Sequence, residues 1–313
     1  MTQTAQPEAP ARIDPEHVVV TEEVQDSDIP VHLMYVETID GLYTPIGLRK
    51  PHGEGPFPVV LLASGNGSEG MRWVRDAVQN RGYIMERLLA AGYACAWLRY
   101  RAEVELGYNN GEKLMRGVRT KRLLLNRSPL EYEDEISIIE HVKALPYIDK
   151  GRVGLLGMSH GGEMILKITS EYHGVACAVA SEPASHEFLV LHPEGSQGFD
   201  PRTRLRQVDE EDLGPAGRIL ARTDRKIAME RIRTINTPIL VMGRETDHLQ
   251  GVFRATYELL KEAAKDVEWV SYDHPEHGYI YPIRARSGKY EPDPVQLDAT
   301  AKVVAYFDRH LKR

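Results

Sequence analysis

The sequence has few cysteines, no long apolar segment and no excess of positive charge, and each absence excludes a class of protein. Its 313 residues include only two cysteines, Cys95 and Cys177, and both lie within apolar runs. We therefore expect reduced thiols in the core, no disulfide framework and a cytoplasmic protein. No run approaches the roughly 20 apolar residues of a membrane-spanning helix. A net charge of −7 argues against a nucleic-acid partner.

The composition is that of a globular chain with ample core, since 42% of the residues are hydrophobic. Residues 1–16 are polar and lack the apolar segment of a secretion signal, so we interpret them as a flexible tail. No linker divides residues 17–313, and we predict that they form a single domain. The sequence carries no signal for an oligomeric state.

Strand and helix patterns alternate along most of this domain. The Asp40-Gly41 pair predicts a hairpin between two early strands, so the sheet is expected to begin antiparallel. A single helix is predicted over 74–91, closed by Gly92. Apolar runs predict buried strands at 59–63, 93–100, 153–156, 174–180, 237–243 and 267–272. The alternation predicts an α/β fold with a mainly parallel sheet and helices on both faces.

Two stretches interrupt the alternation. Residues 101–129 form a long, weakly patterned arm that carries several basic residues: Arg116, Arg119, Lys121, Arg122 and Arg127. Long loops are usually functional or mobile, so the arm could meet an anionic substrate group, although a solvated surface is the more ordinary interpretation. Residues 187–235 are rich in charge, with one or two helices near their end. We predict that they form a small cap above the carboxyl ends of the strands.

The motif with the clearest chemistry is Gly157-Met158-Ser159-His160-Gly161. It follows an apolar run and precedes an amphipathic helical pattern, so it predicts a strand, a tight turn with a serine at its apex, and a helix. Glycines two positions before and after the serine let strand and helix approach closely. The hydroxyl of Ser159 would then stand clear of the sheet near a helix N-terminus, which favours negative charge. The alternative is a chance occurrence of a short string.

An acid and a histidine follow the serine in the order that a hydrolytic triad on such a sheet requires. The loop after the next-to-last strand contains Asp247, our candidate orienting acid, with Glu245 as the alternative. The loop after the last strand contains His277, our candidate base, because Gly278 permits a tight turn that aims its ring at the serine. His274 is the alternative. A neutral imidazole activates the serine, and the carboxylate fixes the tautomer of the imidazole.

Backbone N–H groups for an oxyanion are predicted at two turns. The glycine-rich loop 64–70 follows a central strand, and we assign one donor to the N–H of Asn66. The second donor is the N–H of His160, the residue after the candidate nucleophile. An ordinary strand-to-helix turn is the alternative for the loop, and it is not a phosphate loop because no Gly-Lys-Ser/Thr follows.

No metal or organic cofactor is predicted. His274 and His277 have the spacing of a zinc pair, but Pro275 excludes a regular helix there and no third ligand stands out. The chemistry expected from the serine, the histidine and the acid needs only protein groups.

From Leu42 onward the sequence resembles the α/β-hydrolase superfamily, specifically its dienelactone-hydrolase and prolyl-oligopeptidase-like branch. The stretches 128–132 and 154–163 are also similar to the catalytic domain of acyl-CoA thioesterases and bile-acid acyltransferases. The strings Thr246-Asp247-His248 and His277-Gly278-Tyr279 match that domain too. The resemblance implies the α/β-hydrolase fold and favours Asp247 and His277 over their alternatives.

The sequence also departs from these relatives. It shows no counterpart of the β-sandwich domain of the thioesterases or of the propeller of the oligopeptidases. Ser64-Gly65 stands where many relatives have His-Gly. These departures bear on the substrate and leave the three candidate triad residues in place.

Together, these observations predict a serine hydrolase that cleaves a carboxylic ester or thioester of a small to medium acyl group, through an acyl-enzyme on Ser159. Two alternatives stay open: a serine peptidase of the prolyl-oligopeptidase type, and a catalytically silent binding protein that keeps the hydrolase fold. The expected partner is a small-molecule substrate, and neither nucleic acid nor a membrane is expected. No readable motif identifies the substrate.

Overall fold

The computed structural model describes residues 20–63, 65, 70–99, 130–191 and 214–312. The strands are β1 (Val20–Glu22), β2 (Val31–Glu37), β3 (Tyr43–Arg49), β4 (Phe57–Ala63), β5 (Ala94–Leu98), β6 (Ile148–Met158), β7 (Cys177–Ser181), β8 (Ile239–Arg244) and β9 (Val267–Tyr272). The helices are α1 (Gly70–Asn80), α2 (Tyr83–Ala90), α3 (Leu130–Lys143), α4 (His160–Glu171), α5 (Ala216–Arg222), α6 (Arg225–Thr234), α7 (Gln250–Glu262) and α8 (Pro294–Leu311).

These strands form one sheet in the order β1-β2-β3-β5-β4-β6-β7-β8-β9. Strands β1, β2 and β3 pair antiparallel, and β3 joins β5 in the same way. From β5 to β9 every pairing is parallel. The carboxyl ends of the parallel strands therefore lie at one edge of the sheet, where their loops meet. The hairpin predicted at Asp40-Gly41 joins β2 to β3, with Gly41 at φ +79°.

The central strands are covered on both faces, which is why their sequences are almost continuously apolar. Side chains of β4 alternate between two cores: Val59 and Leu61 enter one, and Val60 and Leu62 enter the other. Helices α3 to α7 supply the first core, and α1, α2 and α8 supply the second. The predicted mainly parallel sheet with helices on both faces is confirmed.

The helix predicted over 74–91 is in fact two helices, α1 and α2, separated by Arg81 and Gly82. A Cβ at Gly82 would lie only 2.4 Å from the carbonyl oxygen of Val78, so a glycine is required where the chain changes direction. Gly92 closes the second helix as predicted, with φ +86°. The break leaves Arg81 at the junction of the two helices.

Both cysteines are free and buried, Cys95 on β5 and Cys177 on β7. Burial raises the pKa of each thiol to about 12, so they act as apolar core residues, as predicted. Across the described residues, no helix combines the length and apolarity needed to cross a bilayer.

The tail at 1–16 and the arm at 101–129 lie outside the described residues. Of the predicted cap, residues 187–191 and 214–235 are described. Within it α5 packs against α7, and α6 packs against α4 and α7, beside the sheet. The intervening residues 192–213 lie outside the described part, so the cap stays a prediction.

Candidate active site

Ser159 lies at the turn between β6 and α4, where the motif predicts it. Its backbone has φ +58° and ψ −118°, a conformation that costs a non-glycine residue about 1–3 kcal/mol. Glycines on either side make the turn possible. A Cβ on Gly157 would lie 2.1 Å from the carbonyl oxygen of Gly161, and a Cβ on Gly162 would lie 2.9 Å from Cα of Pro183. Strand and helix can therefore cross with the serine at the apex.

The last residue of β7 and the three residues after it, 181–184, hold this turn in place. The N–H of Ser159 donates to the carbonyl of Ser181 at 2.9 Å, and the carbonyl of Ser159 accepts from the N–H of Ala184 at 3.0 Å. Both backbone groups of the strained serine are thus bonded to the end of the neighbouring strand. Hydrogen bonds of this kind are what allow a strained conformation to persist.

Ser159 faces a pocket of about 290 Å³. The described residues that line it are Gly65, Trp73, Arg81, Trp97, Met158, Ser159, His277 and Tyr281. Trp73 and Tyr281 both pack against Trp97, with ring centroids 5.6 and 4.7 Å apart. Arg81 contributes the only guanidinium among these described lining residues. The pocket therefore combines aromatic walls with one strong cation.

Gly65 brings the loop after β4 against the serine. A Cβ at Gly65 would lie 2.9 Å from the Cβ of Ser159, so only glycine permits this approach. Buried Arg99 fixes the loop from the adjacent strand, because its Nη1 donates to the carbonyl of Gly65 at 3.1 Å. Its guanidinium stacks on Trp73 at 4.3 Å from the ring centroid. Asn66, the predicted oxyanion donor on this loop, lies outside the described residues.

His160, the second predicted oxyanion donor, is the first residue of α4. Helix N-termini leave such N–H groups without an intrahelical partner. Its imidazole is buried, with Nε2 at 2.7 Å from Oε2 of Glu131 and Nδ1 at 3.5 Å from Oε2 of Glu163. Glu163 lies 3.8 Å from the ammonium of Lys167, which in turn lies 2.8 Å from Glu187. A buried charge network thus fixes the residue that follows the serine.

The structure brings His277 and Asp247 together at the carboxyl edge of the sheet. Nδ1 of His277 lies 3.0 Å from Oδ2 of Asp247, so the Nδ1–H donates to this carboxylate. Oδ1 of Asp247 accepts the N–H of Leu249 at 2.8 Å, and Arg244 donates to Oδ2 at 2.6 Å. Burial opposes ionisation of Asp247, but these bonds outweigh it and hold the pKa of the carboxyl well below its usual range.

The alternative histidine and acid lie elsewhere. His274 is buried, and its Nε2 lies 2.7 Å from Oδ2 of Asp293, the N-cap of α8. Glu245 is exposed. Neither is among the described residues that line the serine's pocket, whereas His277 is. His277 thus lines the pocket of Ser159 and contacts Asp247, whereas His274 contacts Asp293 instead.

Glu182 also belongs to this site, although it was not among the residues predicted from the sequence. It follows β7 directly, has φ +47° and is fully buried, with Oε1 at 3.2 Å from Nδ1 of His277. The sequence holds a signal for it, since an acid immediately after a buried parallel strand lies at the edge where ligands bind. The charge-rich segment that follows, which predicts a cap, hides this signal.

The surroundings of His277 favour its protonated form. Burial opposes the charge, but the hydrogen bond to Asp247 and the nearby carboxylate of Glu182 outweigh burial and raise the pKa of His277 to about 9. At neutral pH, the ring is therefore mostly imidazolium when no substrate is bound.

Glu182, Asp247 and His277 are also the group among the described residues that could hold a metal ion, with donor atoms within 4.8 Å of one another. Arg244 already supplies a cation to both carboxylates. Its Nε lies 3.3 Å from Oε1 of Glu182 and 3.1 Å from Oδ2 of Asp247. The donor set is thus arranged around a guanidinium from the chain itself.

Comparisons with known proteins agree with this architecture. The family described as "BAAT / Acyl-CoA thioester hydrolase C terminal" matches residues 129–282, which include Ser159, Asp247 and His277. Among solved structures, the chain is similar to an acylaminoacyl peptidase from Pyrococcus horikoshii, with a TM-score of 0.60 and 18% identity over 92% of this chain. It is similar to an esterase from Rhizomucor miehei, with a TM-score of 0.60 and 14% identity over 92% of this chain and 86% of that one. The chain has the α/β-hydrolase fold.

A third α/β-hydrolase match is a Klebsiella pneumoniae protein assigned as a dienelactone hydrolase. It has a TM-score of 0.54 and 14% identity, over 90% of this chain and all of that one. The chain spans only 43% of the length of the acylaminoacyl peptidase. No curated protein matches its sequence significantly. The predicted resemblance to the α/β-hydrolase superfamily is confirmed, and the identities are too low to transfer a substrate.

Proposed function

We propose that the chain is a serine hydrolase that cleaves a carboxylic ester or thioester through an acyl-enzyme on Ser159. One observation carries the proposal: Ser159, held in a strained turn, shares its pocket with His277, whose Nδ1–H is bound to the buried carboxylate of Asp247. This is the constellation of nucleophile, base and orienting acid from which serine hydrolysis is recognised. The α/β-hydrolase fold and the family match support the reaction class.

In the first half-reaction, Nε2 of neutral His277 accepts the hydroxyl proton as Oγ of Ser159 attacks the acyl carbonyl carbon. Asp247 keeps the proton on Nδ1 and stabilises the imidazolium. The carbonyl electrons move onto oxygen, where the N–H of His160 and our second candidate, the N–H of Asn66, donate to the oxyanion. The tetrahedral intermediate then collapses. The imidazolium protonates the departing alkoxide or thiolate, and the acyl group stays on the serine.

In the second half-reaction, water replaces the leaving group. His277 accepts a proton from the water as its oxygen attacks the acyl carbon, and the same N–H groups stabilise the second oxyanion. The bond to Oγ of Ser159 breaks, and the imidazolium returns its proton to the serine. The products are a carboxylic acid and an alcohol or thiol, and no group changes its oxidation state.

The pocket supports a small to medium acyl group. Its volume of about 290 Å³ is just below the usual range for small-molecule sites, and Trp73, Trp97 and Tyr281 offer an apolar wall. The family description names thioester hydrolases, and two of the similar structures are an esterase and a peptidase. The similarity to the acylaminoacyl peptidase makes a peptide-type amide the second candidate substrate.

The test begins with a fluorophosphonate probe, which should label Ser159 in the purified chain, as located by peptide mass spectrometry. Turnover is then compared across p-nitrophenyl esters, acyl-CoA thioesters and aminoacyl naphthylamides. Ser159→Ala should abolish both labelling and turnover. Ser137→Ala, at a half-buried serine of α3 whose hydroxyl bonds a backbone carbonyl, is the matched control and should change neither.

A chain that neither reacts with the probe nor cleaves any of these substrates is not a serine hydrolase. Faster cleavage of the naphthylamides than of the esters would instead identify a peptidase. Full activity in Ser159→Ala would place the nucleophile elsewhere.

A further inference from the structure

We propose that Glu182 is a second acid for His277, a positioning residue that shares the Nδ1–H with Asp247 and keeps the ring oriented when Asp247 is lost. The effect of Glu182 on turnover rests on the proposed function. The contacts that support it are independent of any substrate.

Both carboxylates lie close to one nitrogen of His277. Nδ1 of His277 lies 3.0 Å from Oδ2 of Asp247 and 3.2 Å from Oε1 of Glu182. The contact with Asp247 is a hydrogen bond, whereas Oε1 of Glu182 lies at ion-pair distance and has no hydrogen-bond partner among the described residues. One N–H thus faces two acceptors, and a small rotation of the ring would transfer the bond from one to the other.

The second oxygen of Glu182 holds the loop that carries the histidine. Oε2 accepts the N–H of Gly278 at 2.8 Å. Gly278 has φ +78°, and a Cβ there would lie 3.1 Å from the side chain of Met158. Glu182 therefore contacts both the ring of the histidine and the adjacent peptide of its loop, whereas Asp247 contacts this loop through the ring.

Glu182 has a strained backbone conformation, and in this conformation its side chain reaches His277. Its φ of +47° is unfavourable for a residue with a Cβ, and its N–H is tied to the carbonyl of Met242 on β8 at 2.7 Å. Burial of an ionised carboxylate is costly unless it is paired and hydrogen-bonded. A packing role alone would need neither the strain nor the charge.

The charged groups around the imidazole of His277 carry a net negative charge. Arg244 is the guanidinium that lies within ion-pair distance of both carboxylates, so one positive charge faces two negative charges. His248 also approaches Asp247, with Nδ1 at 3.3 Å from Oδ1, but its ring is 42% exposed. The surplus negative charge stabilises the imidazolium form of His277, and Glu182 supplies half of the carboxylate charge.

The two acids come from different strands, so each is supported independently. Glu182 is anchored at the end of β7, whereas Asp247 lies in the loop after β8 and is fixed by the N–H of Leu249. Loss of one carboxylate leaves the other with its own backbone contacts. The Nδ1–H tautomer, which exposes Nε2 to the serine, should therefore survive either loss.

The decisive experiment measures the pKa of His277 by NMR titration in the Ser159→Ala background, which requires no turnover. We expect Glu182→Gln and Asp247→Asn each to lower this pKa by about one unit or more, since an opposite charge within hydrogen-bond reach has an effect of that size. Glu276→Gln removes the same charge from an exposed position next to the histidine and is the matched control. It should shift the pKa by less than about 0.3 unit, because exposed charges are screened.

The kinetic arm uses the active chain and the best ester of the panel. A serine hydrolase whose single orienting acid becomes an amide loses about 10⁴-fold in kcat. We expect Asp247→Asn to lose only about 10- to 100-fold in kcat/KM, Glu182→Gln less than that, and the double variant about 10⁴-fold. Glu182→Gln should also move the midpoint of the pH profile of kcat/KM downward. Thermal unfolding of every variant shows whether the fold is kept.

Two results would overturn the proposal. If Glu182→Gln leaves the pKa of His277 unchanged while Asp247→Asn lowers it, Glu182 only clamps the loop. If Asp247→Asn alone loses about 10⁴-fold, Glu182 does not replace it. An inactive wild-type chain in which both variants still lower the pKa would refute the proposed function and leave the two-acid geometry intact.

Discussion

Protonation of His277 has opposite effects on catalysis and on the charge balance of the site. The two carboxylates favour the imidazolium and raise the pKa of the ring to about 9, whereas a general base must be neutral to accept the proton of Ser159. In the proposed mechanism, the contacts that orient the ring therefore also reduce the fraction of the protein whose His277 can act as a base at neutral pH.

We therefore predict that kcat/KM rises with pH from 7 and levels off above about 9, because this parameter reports the pKa of the base in the free enzyme. The measurement is initial-rate hydrolysis from pH 6 to 10, with the rate of Ser159→Ala subtracted to remove alkaline background. A plateau already reached at pH 7 would contradict the prediction.

Arg81 carries a charge into the pocket without forming an ion pair or a side-chain hydrogen bond with any described residue. We predict that it favours substrates with an anionic group on the acyl chain. Arg81→Gln should lower kcat/KM for a dicarboxylic acid monoester by about 10-fold or more relative to a neutral ester of equal length, as expected for a lost charged hydrogen bond. Arg87→Gln, at an exposed arginine of α2, should leave that ratio unchanged.

At the scale of elements, the turn between β6 and α4 requires glycine, a residue without a side chain, at positions 157 and 162. Gly157 contacts the backbone of the following helix so closely that an added methyl group would overlap it, at 2.1 Å from the carbonyl oxygen of Gly161. The added Cβ and the carbonyl oxygen of Gly161 both belong to rigid parts of the chain. The overlap can therefore be relieved only if the strand or the helix moves. The nucleophile and the packing of α4 are therefore coupled.

Gly157→Ala should destabilise the protein by about 3 kcal/mol or more, because overpacking against backbone is costly, and should reduce activity as the turn shifts. Gly217 on α5 is the matched glycine: a Cβ there meets nothing within 4 Å. Gly217→Ala should stabilise the fold by about 0.4–1 kcal/mol through the unfolded chain. Denaturant unfolding gives the free energy of unfolding of both variants. Equal changes in this free energy would contradict the packing argument.

Elements that are covered on both faces were predictable from sequence, because burial forces an apolar run. The strands β4, β7 and β8 follow this rule, and so does the serine turn, whose glycines and flanking patterns are local. The break at Gly82 was missed, since a glycine inside a helical pattern does not show whether the chain bends. Glu182 was missed for a related reason: its role depends on a contact between β7 and the loop after β9.

At the scale of the whole molecule, His277 is expected to make activity rise and stability fall as the pH increases. Its pKa is raised from 6.5 to about 9 on folding, so it contributes stability that is fully present below pH 6.5. That contribution is lost as the pH rises through about 9. In the proposed mechanism, His277 becomes able to act as a base over the same pH range in which the protein loses the stabilising charge.

We predict that the difference in melting temperature between the wild type and His277→Asn shrinks by about 2 °C or more between pH 6 and pH 9.5. Over the same range kcat/KM of the wild type should rise. Differential scanning fluorimetry of both proteins across the pH series is the measurement. A difference that stays constant with pH would mean that the ring has the same pKa in the folded and unfolded chains.

The pair of acids on one imidazole also bears on how such a site can change over generations. Glu182 and Asp247 reach the same nitrogen from neighbouring strands, at 3.2 and 3.0 Å. Under the two-acid proposal, a descendant that lost either residue would keep an oriented histidine and part of its activity. The role of orienting acid would then pass from the residue after one strand to the residue after the neighbouring strand, and every intermediate protein would stay active.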